Sequence, residues 1–451
     1  MGAKTQIQNG LAAAKQGIRR GFLHVFAGST LVKLVSALSV LLLPNILTKN
    51  QYGALSVPDT FINYVLLFND FGISNALLRY CAVREEPGER KACFLFGLRF
   101  GFLIDAVLIA VAAVVLFLLN HFGIYPIKPL EAKLLAGLML WPVAQFLLDN
   151  LTYYFRAVCA NKEYGRISLI FSVGYAVFPV LFALFLNVWG VVPGRYLGYI
   201  VALVAGFYML RAMPSFQGRA VLLRHEEKVE MVKYGANQML SSLFSQIMPI
   251  VEMTIVNLFV LENGRRGEFR IASLLPSMLG YMTISVIVFV FPYFAKHYMD
   301  GAWVWQKSKK LYLVLAAGMA VLIPLGILLT PLLVRTFFPA YNSPETIRVM
   351  QVFWAAYGVN AAFKATTGNI LAALGEVKFN LIVTFFASVA QGVFCYILVS
   401  RFTLDGAAWG LLIAYSAYSL AGMVYLRYYC RKMIRVQAAF AHDMPEEEDE
   451  P

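Results

Sequence analysis

The stretch CFLFGLRFGFLIDAVLIAVAAVVLFLL, residues 93–119, decides the fold of this 451-residue chain. Arg99 and Asp105 are its two charged residues. A helix needs roughly 20 mostly apolar residues to cross the hydrocarbon core of a bilayer, so this stretch predicts a membrane-spanning helix. Comparable apolar stretches recur along the whole sequence and leave no room for a soluble domain.

The overall composition agrees with a membrane protein. Hydrophobic residues make up 60% of the chain and charged residues only 14%, whereas soluble domains carry about 25% charged residues. The net charge of +13 does not indicate nucleic-acid binding, because the basic residues lie between apolar stretches and form no basic face with interleaved aromatics.

Twelve spans account for the apolar stretches and predict an all-α polytopic membrane protein. The first follows a basic segment, but it is too long for the apolar part of a cleaved signal peptide. The predicted spans are 22–47, 54–78, 93–119, 134–157, 167–188, 196–213, 235–261, 269–294, 310–334, 349–374, 378–400 and 406–429.

The distribution of Lys and Arg among the loops predicts the orientation. Most of them lie on the side that also holds both termini, which is therefore expected to be the cytoplasm. Arg195 is placed in an outer loop, and the outer loop with Arg265, Arg266 and Arg270 is the one clear exception to the bias.

The two halves of the sequence resemble each other. Identical residues recur 216 positions apart: Gly194 and Gly410, Tyr199 and Tyr415, Gly206 and Gly422. Six spans per half place both halves the same way up, as in transporters with parallel repeats. We therefore predict two six-helix lobes around a central cavity, with segments 1–213 (first lobe), 214–234 (amphipathic cytoplasmic linker), 235–435 (second lobe) and 436–451 (acidic disordered tail).

The sequence contains no pattern that indicates catalysis or a cofactor. The five cysteines and five histidines are scattered and form no CxxC pair, so neither a metal site nor a disulfide framework is expected. Nucleophile-elbow, HExxH and Walker motifs are also missing from the sequence. We predict a protein that is not an enzyme.

Charged residues inside the spans are the candidate functional residues. A charge at the centre of a spanning helix costs at least ~2.5–3.5 kcal/mol on insertion scales, so such residues pair with one another or line a wet cavity. The basic and amide candidates for contact with phosphate or sugar groups are Lys33, Arg99, Lys364, Asn360 and Asn369. The acidic candidates for ion coupling or gating are Asp59, Asp70, Asp105, Asp149 and Glu252.

Each candidate also has a purely structural interpretation. Lys33 and the acids are compatible with ion pairs or polar helix packing, and Arg99 lies close enough to a helix end to extend its side chain to the interface. Lys364 lies in a polar stretch, 360–369, which favours an interior position.

Several short motifs occur in the order and spacing of a known transporter family. The segment LPNILTKNQYGALSVPDTFINYVLLFNDFGISNALLRY, residues 43–80, joins the first two spans. The further motifs are Tyr234-Gly235, Gly267 with Phe269 and Ala272, Phe338-Pro339 with Tyr341, and 373–376. The chain thereby resembles the polysaccharide transporter (Wzx-like) branch of the multidrug, oligosaccharidyl-lipid and polysaccharide exporter superfamily.

This resemblance implies a function and a mechanism. A flippase of this branch moves an undecaprenyl-diphosphate-linked oligosaccharide, such as an O-antigen unit for lipopolysaccharide, to the outer leaflet by alternating access in a MATE-like fold. The resemblance therefore also implies the cytoplasmic (inner) membrane of a bacterium or archaeon. Basic cavity residues of relatives are thought to hold the diphosphate, which matches Lys33, and the acid usual near the middle of the seventh span matches Glu252. Lipid II flippases often carry fourteen helices, which disfavours that substrate.

Two other functions remain open from the residues alone. A cation-coupled multidrug or small-molecule antiporter of the same fold predicts acids and aromatics in one lobe and no basic cavity contact. A non-transport membrane scaffold predicts that the intramembrane charges are paired and the interior is closed. The expected partners are the bilayer and a lipid-linked oligosaccharide, with H⁺ or Na⁺ as candidate coupling ion and a polysaccharide polymerase or chain-length protein as candidate protein partner.

Overall fold

The computed structural model describes residues 41–125 and 127–442, and all regular structure within these ranges is helical. The chain divides into two compact units, Met1–Leu243 (unit 1) and Phe244–Pro451 (unit 2). Lys33 and most of the first predicted span lie outside the described residues, as does the acidic segment from residue 443 onward.

The helices of unit 1 are α1 (Lys49–Ala54), α2 (Ser56–Leu67), α3 (Ile73–Val83), α4 (Pro87–His121), α5 (Pro129–Leu138), α6 (Trp141–Ala157), α7 (Asn161–Leu186), α8 (Val188–Ala212) and the part of α9 (His225–Phe259) up to Leu243. The rest of α9 belongs to unit 2, with α10 (Asn263–Ser277), α11 (Leu279–Lys296), α12 (Gly301–Phe337), α13 (Pro344–Val359), α14 (Ala365–Ala373) and α15 (Val377–His442).

The helices confirm the prediction of an all-α polytopic membrane protein. Every predicted span from 54–78 onward is mostly helical, although short turns interrupt several of them. Seven helical stretches of the described residues are long and apolar enough to cross a membrane: Lys49–Val83, Pro87–His121, Pro129–Ala157, Asn161–Leu186, Val188–Ala212, Gly301–Phe337 and Lys378–Gln437. The last is 60 residues long and contains two predicted spans, which meet where the backbone breaks at Thr403 (φ +52°).

Local sequence signals define where several helices begin. Thr48 caps α1 by accepting a hydrogen bond from the backbone N–H of Gln51, whose side chain in turn accepts from the Thr48 N–H. Ser343 caps α13 in the same way through the N–H of Thr346, with Pro344 in the first helical position. These side chains satisfy backbone donors that the first helical turn leaves without partners.

One tight turn of the first half recurs 216 positions later in the second half. Asn187 ends α7 with φ +51°, and Thr403 occupies the equivalent position with φ +52°. Three residues later, a Cβ on Gly190 would lie 2.2 Å from the Phe182 carbonyl oxygen, and one on Gly406 would lie 2.2 Å from the carbonyl oxygen of residue 398. Only glycine permits such close backbone contact, so the sequence repeat corresponds to a repeated local geometry.

The outer surface of α4 shows that unit 1 is built for an apolar solvent. Most of the side chains between residues 102 and 118 are exposed, including Phe102, Val107, Val114 and Phe117. The core of unit 1 lies elsewhere, around buried aromatic side chains of α4 and α6. An exposed apolar stripe of this length is expected only where lipid covers the helix.

The linker between α8 and α9 packs against the ends of α3 and α4. Arg84 donates to Glu227 (2.7 Å), and Lys91 donates to the Gly218 carbonyl (2.9 Å). The pKa of Glu227 is lowered because its carboxylate accepts the Arg224 N–H and the Arg84 guanidinium. Both contacts lie within unit 1: the first holds the start of α9, and the second holds the linker.

All five cysteines lie in the described part of the chain. Cys81, Cys93, Cys395 and Cys430 are buried, while Cys159 is exposed in the turn between α6 and α7.

A left-handed turn interrupts the second predicted span between α2 and α3. Asp70, Phe71 and Gly72 have φ of +47°, +53° and +72°. Gly72 also touches the backbone of α9, since a Cβ there would lie 2.2 Å from the carbonyl oxygen of Gly235. The turn therefore depends on glycine for both its conformation and its contact.

Replacement of Gly72 by Ala should destabilise the protein by about 2–5 kcal/mol, the sum of left-handed strain and overpacking. Gly123→Ala is the matched control, because Gly123 has φ +65° but nothing within 4 Å of its missing Cβ, so only about 1–2 kcal/mol is expected. Thermal unfolding in detergent measures both, and equal losses for the two variants would show that the contact with α9 is unimportant.

Candidate substrate and ion sites within the membrane

Lys364 lies at the end of a π-helical turn, Asn360–Lys364, that joins α13 to α14. Such turns insert an extra residue into a helix and often occur at functional sites. The Lys364 ammonium lies 5.0 Å from the ring centre of Tyr415 and 5.6 Å from that of Tyr418. No carboxylate among the described residues lies within salt-bridge distance of it, so the two aromatic faces are its recorded partners.

The two amide candidates near Lys364 are placed differently. Asn360 is half-buried and begins the same π-helical turn. Asn369 is exposed, and its side chain donates to the Ala365 carbonyl (2.8 Å) of its own helix. The structure therefore groups Asn360 with Lys364, while the amide of Asn369 is engaged by backbone.

Glu252 is buried on α9 with one carboxylate oxygen that has no hydrogen-bond partner in the described structure. Gln391 on α15 is also buried. Its amide nitrogen donates to the Met248 carbonyl (3.1 Å), one turn before Glu252, and its amide oxygen has no recorded partner. Each of these oxygens can accept a donor or a cation, and the Glu252 carboxylate can also take up a proton. Because Gln391 carries no charge, its sequence context does not mark it as a candidate.

Three acids of unit 1 surround the left-handed turn. The backbone N–H of Asp70 donates to the Asp105 carboxylate (2.8 Å), and the Asp70 carboxylate accepts the N–H of Ser74 (3.2 Å). Asp149 accepts from Gln145 (2.9 Å), which also accepts the Tyr199 hydroxyl (2.6 Å). Within the described structure, none of the three carboxylates forms a salt bridge.

Asp59 has a basic partner that lies far away in sequence. The guanidinium of Arg195 donates to both carboxylate oxygens (2.6 and 3.2 Å) and lies over the Trp141 ring at 4.8 Å. The prediction that placed Arg195 in an outer loop is wrong, because the residue is buried within α8. The Pro-Gly segment before it looked like a loop in sequence but continues the helix.

Arg266 explains the exceptional basic loop of the sequence. Helix α10 begins at Asn263, so the basic residues of this segment are helical. The Arg266 side chain is buried and donates to the carbonyls of Asn257 (2.7 Å) and Val260 (2.6 Å) at the end of α9. Its charge caps a helix C-terminus, and the prediction that it lies in a loop is wrong.

Arg99 differs from the other basic candidates because its side chain is exposed on α4. It borders a shallow apolar recess formed with Phe102, Leu103 and Leu147. This position fits a side chain that extends along an apolar surface toward an interface. The structure does not bring Arg99 together with the acids of unit 1.

Taken together, the spans and their buried charges define a polytopic helical membrane protein with a polar interior in each unit. The model of the polysaccharide biosynthesis protein family matches residues 18–298. The chain belongs to this family. A search of curated proteins found no match.

Solved structures of membrane transporters share the fold. An inward-facing multidrug resistance transporter of the MATE family and MOP superfamily matches with a TM-score of 0.73 at 16% identity, covering 90% of this chain and 95% of the other. The lipid II flippase MurJ, in an inward closed conformation, matches with a TM-score of 0.71 at 14% identity, covering 95% and 94%.

A MOP superfamily transporter from Pyrococcus furiosus matches with a TM-score of 0.59 at 15% identity, covering 91% of this chain and 93% of the other. At these identities the likeness establishes the fold alone. All three matches extend over nearly the whole chain, which confirms that the fold is that of the MATE and MurJ transporters.

Loss of one member of the Asp59–Arg195 pair should be costly. Arg195→Gln leaves a buried carboxylate without its main partner, for which about 3–5 kcal/mol is expected. The control is Arg348→Gln, because Arg348 pairs with Asp405 (3.3 Å) through a side chain that is 61% exposed, and exposed pairs contribute about 0–1 kcal/mol.

Thermal unfolding in detergent checks this difference. The double variant Asp59→Asn/Arg195→Gln should be more stable than the sum of the two single variants indicates, because it removes both charges together. Strict additivity would show that the two side chains do not interact.

Proposed function

We propose that this protein is a flippase that moves an undecaprenyl-diphosphate-linked oligosaccharide across the cytoplasmic membrane by alternating access. Membership of the polysaccharide biosynthesis protein family supports the pathway, and the shared fold of the MurJ flippase supports lipid-linked cargo. In this proposal the protein transports its substrate without chemical change, with both termini in the cytoplasm.

Lys364 is the observation that carries the proposal. A membrane-embedded ammonium is costly unless it has a partner, and its recorded neighbours are aromatic faces rather than carboxylates. A diphosphate group would supply the missing negative charge, and Asn360 from the same turn would contact a neighbouring phosphate or sugar oxygen. We assign the same role to Lys33 as a second basic contact.

The buried tyrosines beside Lys364 fit a sugar-bearing substrate. Tyr415 also packs edge-to-face against Tyr357 (6.2 Å between ring centres). Aromatic rings offer apolar faces and hydroxyl groups to carbohydrate, while the polyprenyl tail would remain in the surrounding lipid. An antiporter for cationic drugs has no use for a buried ammonium at this position, so Lys364 favours the flippase over that alternative.

The acids are proposed to couple transport to an ion gradient. In unit 1, Asp70, Asp105 and Asp149 lie together, and none of them has a salt bridge in the described structure. In unit 2, one carboxylate oxygen of Glu252 has no hydrogen-bond partner among the described residues. Carboxylates in such positions are suited to take up H⁺ or Na⁺ and release it on the other side. Asp59 is assigned to structure instead, because Arg195 neutralises it.

Lys364→Gln should reduce export of surface polysaccharide by about 10–100-fold, since a hydrogen bond to a charged group contributes about 1.5–3 kcal/mol. Lys364→Arg should retain much of the activity, because it keeps the charge. The assay is complementation of a strain that lacks its own flippase, with surface polysaccharide quantified per molecule of membrane-inserted protein.

Lys378→Gln is the matched control for Lys364→Gln. It removes the same charge, but from a side chain that is exposed on α15. Full export by Lys364→Gln, at normal protein level, would exclude Lys364 from substrate binding. A gel-filtration profile in detergent distinguishes loss of transport from loss of folding.

Asp105→Asn tests ion coupling without loss of the hydrogen bond to Asp70, because the amide oxygen still accepts the backbone N–H. The variant should fold normally in detergent. In proteoliposomes its flipping of a lipid-linked oligosaccharide should no longer respond to an imposed H⁺ or Na⁺ gradient, whereas the native protein responds. An unchanged response would remove Asp105 from the coupling site.

A further inference from the structure

Two helices of unit 2 come into close contact at one end. A Cβ on Gly301, the first residue of α12, would lie 2.2 Å from the carbonyl oxygen of Cys430 on α15. The absence of a side chain at Gly301 therefore lets the first turns of α12 approach the backbone of α15. This approach places Trp305 of α12 beside Arg427 of α15.

Two basic side chains approach the ring of Trp305 at this contact. The Lys309 ammonium is 5.7 Å from its ring centre, and the Arg427 guanidinium is 5.8 Å from it. Both basic side chains are exposed, and in the described ranges neither forms a salt bridge. Two cations from different helices thus approach one aromatic ring, and no salt bridge is described for either of them.

The same helix surfaces continue as lipid-facing apolar surface. Leu313, one turn after Lys309 on α12, is 71% exposed. Val424, almost one turn before Arg427 on α15, is 63% exposed. Residues three or four positions apart lie on one face of a helix, so the cations mark the point where hydrocarbon ends and headgroups begin.

The neighbouring charges increase the positive potential. Further exposed basic residues lie on the same ends of the two helices, including Lys307, Lys310, Arg431 and Lys432. Two acids are also described at this end: Asp300 accepts the N–H of Trp303 (2.9 Å), and Glu376 accepts the Tyr425 hydroxyl (2.7 Å). The basic residues of this surface outnumber these two acids, so its net charge is positive.

We propose that Lys309, Trp305 and Arg427 form a binding site for the phosphate headgroup of an anionic phospholipid, whose acyl chains lie along Leu313 and Val424. Basic residues at the membrane surface attract anionic lipids, and tryptophan prefers the interfacial region. The site does not depend on the transported substrate. With both termini in the cytoplasm, it belongs to the inner leaflet.

The test measures lipid retained by purified protein, by native mass spectrometry after exposure to phosphatidylglycerol or phosphatidylcholine. The variant Lys309→Gln/Arg427→Gln should bind phosphatidylglycerol roughly 30-fold more weakly, from roughly 5-fold for each basic residue. Lys310→Gln/Lys432→Gln is the matched control, since it removes the same charge from the same helices but no contact with Trp305. It should retain most of the preference.

A second variant, Trp305→Leu, keeps both basic residues and removes the aromatic ring that they approach. It should weaken phosphatidylglycerol binding and leave phosphatidylcholine binding unchanged. Equal losses in the double variant and its matched control would reduce the site to general surface charge and overturn the proposal. Preferential retention of a polyprenyl diphosphate over phosphatidylglycerol would overturn it too, because the site would then serve substrate.

The acidic stretch 446–450 is the alternative occupant of this basic surface. Neutralisation of its carboxylates to Gln and Asn should leave phosphatidylglycerol binding unchanged if lipid occupies the site. If phosphatidylglycerol binds only after that neutralisation, the acidic segment of the chain, rather than lipid, is the resident ligand and the proposal fails.

Discussion

Inside hydrocarbon, every backbone N–H and C=O must find its partner within the protein, and this constraint governs the structure. It explains why all regular structure in the described chain is helical. It also gives meaning to the few departures from α-helix, because irregular backbone survives at membrane depth only where protein or water surrounds it. The left-handed turn holds Asp70, and the π-helical turn ends at Lys364. Both irregularities thus coincide with charged residues.

Hydropathy was sufficient to predict the class of fold and the helices of the described residues, because lipid imposes a strong and local requirement on composition. Hydropathy could not predict which charges are paired. The partner of Asp59 lies 136 residues away, and Arg195 follows a Pro-Gly pair that resembles a loop. Arg266 was misplaced for a related reason, since a residue that caps the preceding helix looks in sequence like part of a basic loop.

Among the candidate site residues, the charged ones could be predicted from the sequence and the neutral one could not. The acids of unit 1 and Lys364 were recognisable because a charge within an apolar stretch needs an explanation. Gln391 was not, because a neutral amide in a membrane helix is common and only its unpartnered oxygen marks it. The repeat does not predict the charged positions either. Packing glycines recur 216 positions apart, but the first half has Leu148 at the position of Lys364, and the second half has Ala365 at the position of Asp149. Similar helical packing thus supports different charges in the two units.

The distribution of cysteines has a practical consequence. Four thiols are buried, and Cys159 alone of the five is exposed, in the turn between α6 and α7. A maleimide that cannot cross membranes would therefore report, in intact cells and without any engineered residue, on which side of the bilayer that turn lies. The native sequence carries its own marker for membrane topology.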